Sequence, residues 1–120
     1  MVNLLTDFIW DNCIYLHKEN KREDVYKEIE NDIKHNHLVF TSDEYGLTGV
    51  CRFKINNDET VILDVAVRKD KRGNGILPKL LMCGLRLYPK VKRLRFNSIE
   101  KKREFTIPVS LFLKRSNYGN

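Results

Sequence analysis

Ile62-Leu63-Asp64-Val65-Ala66-Val67, followed without a break by Arg68-Lys69-Asp70-Lys71-Arg72-Gly73-Asn74-Gly75, is the stretch on which the fold turns. The first six residues are apolar at every position but one, the pattern of a central strand covered on both faces. Immediately after the glycines, Ile76, Leu77, Leu80, Leu81, Gly84, Leu85 and Leu87 fall at helical spacing. Pro78 is tolerated there because it lies in the first turn. A helix leaves its first four N–H groups without partners inside the helix, and glycines just before it let a ligand's oxygens approach the main chain. Those donors, the positive end of the helix dipole and the neighbouring Arg72 predict an anion site of the kind phosphates occupy.

Upstream, Leu4, Leu5, Phe8, Ile9, Cys13 and Leu16 recur at helical spacing and predict an amphipathic helix from about Leu4 to His17. Asn20 with Glu23 reads as a capping pair opening a second helix with Val25, Ile29 and Ile33 inward. The period then becomes that of extended chain. His37 to Ser42, a turn at Asp43-Glu44-Tyr45-Gly46, and Leu47 to Ile55 predict a hairpin. Asn56-Asn57-Asp58-Glu59 is a second turn, leading into a strand over Thr60 to Val67. Downstream, Tyr88-Pro89 ends the apolar helix and Val91 to Phe96 reads as a further strand. Thr106-Ile107-Pro108 then caps a short helix over Val109 to Lys114. The predicted order is helix, helix, three strands, helix, strand, short helix.

At 120 residues the chain is expected to form a single domain over 1–120, without room for separate cofactor and substrate domains. No segment approaches the ~20 apolar residues of a membrane span, and the N-terminus lacks the features of a secretory leader, so no membrane partner and a cytoplasmic location are expected. Cys13, Cys51 and Cys83 are odd in number and far apart, which fits reduced thiols, and His35 and His37 lack ligand-spaced partners, so no metal site is expected. Charge is unevenly divided. Residues 1–60 carry 7 basic and 12 acidic side chains, residues 61–88 carry 6 and 2, and residues 89–120 carry 9 and 2; the balances of −5, +4 and +7 give the net +6. The positive excess begins at the glycine turn, which favours an anionic ligand or partner on that side.

The element order, together with Val67, four intervening residues and Arg72-Gly73-Asn74-Gly75-Ile76, resembles the GNAT superfamily of acetyl-CoA-dependent N-acyltransferases. The family signature is Arg or Gln, two residues, Gly, one residue, then Gly or Ala. Arg72 and Gly75 match it, and Leu77 departs from it. The small size is similar to that of GNAT-like proteins of phages and mobile elements. The resemblance implies an α+β fold: three layers, α/β/α, with a mixed, mostly antiparallel sheet flanked by helices. It implies acetyl-CoA as co-substrate and an amine of a protein or small molecule as acceptor. Main-chain groups of Val65 and Val67 would pair with the pantetheine arm as if it were an added strand. The amides of Arg72, Gly73, Asn74, Gly75, Ile76 and Leu77 would cradle the pyrophosphate, with Arg68 or Arg72 reaching a phosphate. Asp64 lies where many members carry a strand carboxylate acting as general base. The member's acidic Tyr aligns with Phe112, which has no proton to give, and Ser110 and Tyr118 are the replacements at hand. The chain ends at Asn120 without the final strand pair that usually closes the acceptor site.

Other nucleotide folds fit less well. A dinucleotide-binding unit needs a third glycine and an acidic residue tipping a second parallel strand, and a Walker loop needs Gly-Lys-Ser/Thr. The alternative is an inactive protein on the same fold that grips nucleic acid or an acidic protein. Arg93, Arg95, Lys101, Lys102 and Arg103 would supply charge, with Phe96, Phe105 or Tyr118 for stacking.

Overall fold

The computed structural model describes residues 1–12, 17–18, 20–57, 60–98 and 103–117. These form α1 (Val2–Asn12), α2 (Arg22–Lys34), β1 (Leu38–Asp43), β2 (Gly46–Asn57), β3 (Thr60–Val67), α3 (Ile76–Leu87), β4 (Arg93–Ser98), β5 (Arg103–Pro108) and α4 (Val109–Asn117). The strands make one sheet in chain order. β1, β2 and β3 are antiparallel neighbours, β3 and β4 are parallel, and β4 and β5 are antiparallel. The parallel pair encloses α3, the crossover such a pair requires. The expected α+β architecture, a mostly antiparallel sheet between helical layers, is therefore present.

Strand alternation divides the core in two. On one face Val50 and Ala66 meet Leu5, Phe8 and Ile9 of α1 and Val25 and Ile29 of α2. On the other, Cys51, Phe53, Val61 and Val65 meet Leu80 and Leu81 of α3, with Val91, Leu94 and Phe112 completing the cluster. Adjacent residues of β2 and β3 thus serve opposite layers, as the period of two demands. Gly84 brings α3 close to the sheet, since a Cβ there would overlap the Phe53 ring. No helix among the described residues is long and apolar enough to cross a membrane.

Several sequence expectations need correction. The first helix begins at Val2 and is described to Asn12, with Cys13 to Leu16 lying outside the described residues. His17 stacks on Trp10 with ring centroids 3.7 Å apart. The α2 cap is one residue later than expected: the Asp24 carboxylate accepts the Lys21 amide at 3.0 Å, so Lys21 and Asp24 occupy the places assigned to Asn20 and Glu23. Thr106, Ile107 and Pro108 belong to β5, a strand the sequence reading missed, paired with β4 from Ser98↔Arg103 to Arg93↔Pro108. Pro108 ends this strand, where loss of an N–H donor is tolerated. Val109 then starts α4, its amide donating to the Lys92 carbonyl at 2.8 Å.

Candidate functional site

β3 leads into the loop that the sequence marks as an anion site. A short 3-10 turn, Lys69–Lys71, follows the strand, and Gly73 and Gly75 then adopt φ of +80° and +78°. Those values are disfavoured for residues bearing a Cβ, which is why glycine stands at both positions. Gly75 is the N-cap of α3, and the Lys79 amide donates to its carbonyl at 3.3 Å, closing the first turn.

The fate of each amide defines the site. The Arg72 amide donates to the Lys69 carbonyl and the Asn74 amide to the Lys71 carbonyl, both at 3.4 Å. These two bonds shape the loop. Among the described residues, the amides of Gly73, Gly75, Ile76 and Leu77 meet no protein acceptor. Gly73, Asn74 and Gly75 are exposed, and Ile76 is half-buried against the α3-face core. Leu77 is exposed and belongs to neither core cluster.

The two arginines assigned to phosphate behave differently. The Arg72 Nε donates to the Val67 carbonyl at 3.1 Å, laying its side chain over the end of β3. Arg68 is engaged by three protein groups. Its Nε donates to Asp70 Oδ1 at 2.7 Å, its Nη2 to Asp43 Oδ2 at 2.8 Å and its Nη1 to the Leu47 carbonyl at 3.2 Å. Lys71 adds a second cation 3.7 Å from Asp43. These bonds hold both carboxyls below their ordinary pKa and the Arg68 guanidinium above its own. Arg68 is thus a clamp fastening the β1–β2 turn to the glycine loop between β3 and α3.

Val65 lies inside the parallel ladder, opposite Ser98, which is the last rung with β4. β3 continues beyond it, and Val67 is paired with Gly49 of β2. The two strands therefore part company in register just where the anion loop begins.

Asp64 is half-buried on the sheet face that carries Ala66, beneath the α1–α2 layer. Its neighbours in register are Arg52 on β2 and Asn97 on β4. Arg52 reaches up to α2, with Nε 2.5 Å from Asp32 Oδ2 and Nη1 3.2 Å from Glu28 Oε2. Burial lowers the Arg52 pKa, but attraction and hydrogen bonding from Asp32, then the charges of Glu28 and Asp64, raise it above the ordinary value. Burial also pushes the Cys51 thiol well up, with the Asp64 charge adding to the effect. This constellation of Arg52, Asp32 and Glu28 went unread in the sequence because its members are far apart in the chain.

Phe112 is buried with Leu80 and Leu94 in the α3-face core, where its ring is a packing element. Ser110 is exposed, while Tyr118, Lys101 and Lys102 lie outside the described residues. Arg93 donates to Thr60 Oγ1 at 3.1 Å. Cys51 and Cys83 are free thiols. Among the described residues no three His, Cys, Asp or Glu side chains converge as a metal-binding group.

No protein-family profile matches the sequence, and no curated protein matches it. Solved structures do. A Pyrococcus horikoshii protein provisionally assigned as an acetyltransferase superposes with a TM-score of 0.63 at 12% identity, over 97% of this chain and 39% of its own. The ribosomal-protein-alanine N-acetyltransferase of Brucella melitensis gives 0.58 at 18% identity, over 97% of this chain and 74% of its own. The microcin C7 self-immunity acetyltransferase MccE, solved with acetyl-CoA and AMP, gives 0.50 at 19% identity, over 79% and 62%. The fold is that of the GNAT acetyltransferases, and the chain spans 39% of the length of the Pyrococcus protein.

Proposed function

We propose, from this fold and the loop at its centre, that the chain is an N-acetyltransferase that moves an acetyl group from acetyl-CoA to an amine. One observation carries the reading: the amides of Gly73, Gly75, Ile76 and Leu77 gather at the start of α3, where β3 leaves its ladder with β4. Main-chain donors at a helix start suit a pyrophosphate, and a strand running past its ladder suits the peptide-like pantetheine arm. Val65 and Val67 supply that strand, while Arg72, Gly73, Asn74, Gly75, Ile76 and Leu77 form the loop around the phosphates. Arg68 contributes by holding the loop in shape.

Acetyl-CoA supplies a thioester whose C–S bond breaks as the new C–N bond forms. The acceptor amine must be deprotonated to attack, and Asp64 is the residue we assign as the general base that takes its proton. The departing thiolate takes a proton from solvent or from a group on the acceptor side. Positioning of the two reactants supplies much of the rate in such a transfer, which makes a dedicated acid dispensable.

The test is binding with charge isolated from strain. Gly75→Asp and Gly75→Asn face the same positive φ, and an added Cβ there meets nothing within 4 Å. Asn and Asp are also the side chains that tolerate this region best. Acetyl-CoA at about a hundredfold over its Kd stabilises a binding protein by about 2.7 kcal/mol. Calorimetry and thermal shift should show binding to the parent chain and to Gly75→Asn, and its loss in Gly75→Asp. Equal binding by the two variants would remove the phosphate from this loop.

A further inference from the structure

The loop between β3 and α3 carries more cations than its own structure uses. Arg68 bonds the carboxylates of Asp43 and Asp70, and Lys71 lies 3.7 Å from Asp43. Positive and negative charges are equal in this clamp, which is therefore neutral. Arg72 is bonded to the Val67 carbonyl at the end of β3. Lys69 and Lys79 remain. Both are exposed, and among the described residues neither meets a carboxylate. Glu44, exposed on the β1–β2 turn, is the one acidic residue of the turn, the loop and α3 that stands outside the clamp.

The two lysines flank the glycines. Lys69 opens the 3-10 turn before Gly73, and its carbonyl accepts the Arg72 amide. Lys79 stands one turn into α3, where its amide donates to the Gly75 carbonyl at 3.3 Å. Helical side chains lean toward the N-terminus and cover the turn before their own Cα, which directs Lys79 back toward Gly75 and the amides around it. It lies on the solvent side of the helix, since Ile76 and Leu80 take the side against Gly49 of β2.

We propose that Lys69 and Lys79 form a subsite for the 3′-phosphate of coenzyme A, selecting the complete coenzyme over its 3′-dephospho form. The proposal rests on the reading of this loop as the coenzyme site. A pyrophosphate diester is matched by main-chain donors and a helix dipole, which need no lysine. A phosphomonoester brings a further charge of about −1.5 to −2 near neutral pH and three acceptor oxygens. Two ammonium groups on flexible stems supply the opposite charge, and as point donors they can follow a phosphate held at the surface.

Calorimetry with coenzyme A and with 3′-dephospho-coenzyme A as probes tests this. Exposed charge pairs are individually weak, so two of them should give the parent chain about a five- to tenfold preference for the complete coenzyme. Lys69→Gln combined with Lys79→Gln should reduce the preference to about twofold or less, with little change in affinity for the dephospho form. Arginine at both positions should retain it, and added salt should narrow it. Lys27→Gln combined with Lys34→Gln removes the same charge from α2 and should leave the preference unchanged. All four lysines are exposed, so these variants should fold as the parent does. Equal affinity of the parent chain for the two probes overturns the subsite. So does a preference that survives loss of Lys69 and Lys79, or one that falls equally with the α2 pair. Failure of the parent chain to bind either probe is a different result: it overturns the coenzyme reading itself and takes the subsite with it.

Discussion

Arg68 Nη2 lies 2.8 Å from Asp43 Oδ2, joining the turn between β1 and β2 to the loop between β3 and α3. The same guanidinium holds Asp70 within that loop, so one side chain orders both walls. The Asp43 carboxylate also accepts the Tyr45 amide at 2.8 Å, fixing the turn on its own side. A loop that binds phosphate through main-chain amides needs those amides held in place before the ligand arrives, because ordering on binding costs affinity.

This arrangement predicts an acid-dependent stability. Asp43 and Asp70 both have folded pKa values below 3.8, chiefly because Arg68 donates hydrogen bonds to them. A depressed carboxyl contributes stability that is fully present above its unfolded pKa and is lost as pH falls through the lower folded value. The melting temperature should therefore lose a component as pH is taken down through and below 3.8, and Arg68→Gln should be less sensitive in that window. Circular dichroism melts of the two proteins across the range check this. Parallel curves would mean that the clamp adds nothing to stability.

A second prediction concerns how closely α3 approaches the sheet. Alanine at Gly84 would favour the helix by about 1 kcal/mol through propensity. Its Cβ, however, would collide with the Phe53 ring, which is itself packed against Tyr88 at a centroid distance of 5.7 Å. Overpacking of a filled core costs about 1–3 kcal/mol, which exceeds or cancels the gain. Urea unfolding should show Gly84→Ala to be less stable than the parent, with Phe53→Leu in the same chain recovering part of the loss.

The stretch from Thr60 to Leu87 was legible because its signals are local and agree with one another: a doubly apolar strand, glycines where φ is positive, and a helix whose stripe needs no partner to be recognised. β5 was obscured by local chemistry. Thr106 and Pro108 carry helix-start character, while the pairing of Phe105 and Ile107 with Phe96 and Leu94 is visible only once β4 is beside them. The α2 cap slipped by one residue because Asn20 and Lys21 compete for the position and the Asp24 carboxylate decides it. The Arg68 clamp is invisible in the sequence because its partner Asp43 stands 25 residues earlier. The same distance in sequence hid Arg52 and Asp32, separated by 20 residues.

Leu77 is the departure from the family signature, and its exposure makes the consequence testable. The side chain is 36% exposed at the second position of α3, beside the amides of Gly75 and Ile76. Surface substitutions away from structural features change stability by about 0.5 kcal/mol or less. Leu77→Ala should therefore fold as the parent does. It should bind acetyl-CoA at least as tightly, because a smaller side chain opens the approach to the loop. Weaker binding by calorimetry would show that the leucine itself makes contact with the ligand.

Asp64→Asn bears on the chemistry itself. The amide keeps the shape of the carboxylate, so the sheet and the loop that follows Val67 are undisturbed, and acetyl-CoA affinity should be unchanged. Removing a general base typically costs about 10²–10⁴ in rate. kcat for acetyl transfer should fall within that range, while KM for acetyl-CoA stays near the parent value. The deficit should narrow as pH rises, because more of the acceptor is then already a free amine and has less need of a base. A variant with the parent's turnover at neutral pH would take Asp64 out of the mechanism, and a uniform loss at every pH would assign it to the structure beneath α2 rather than to proton transfer.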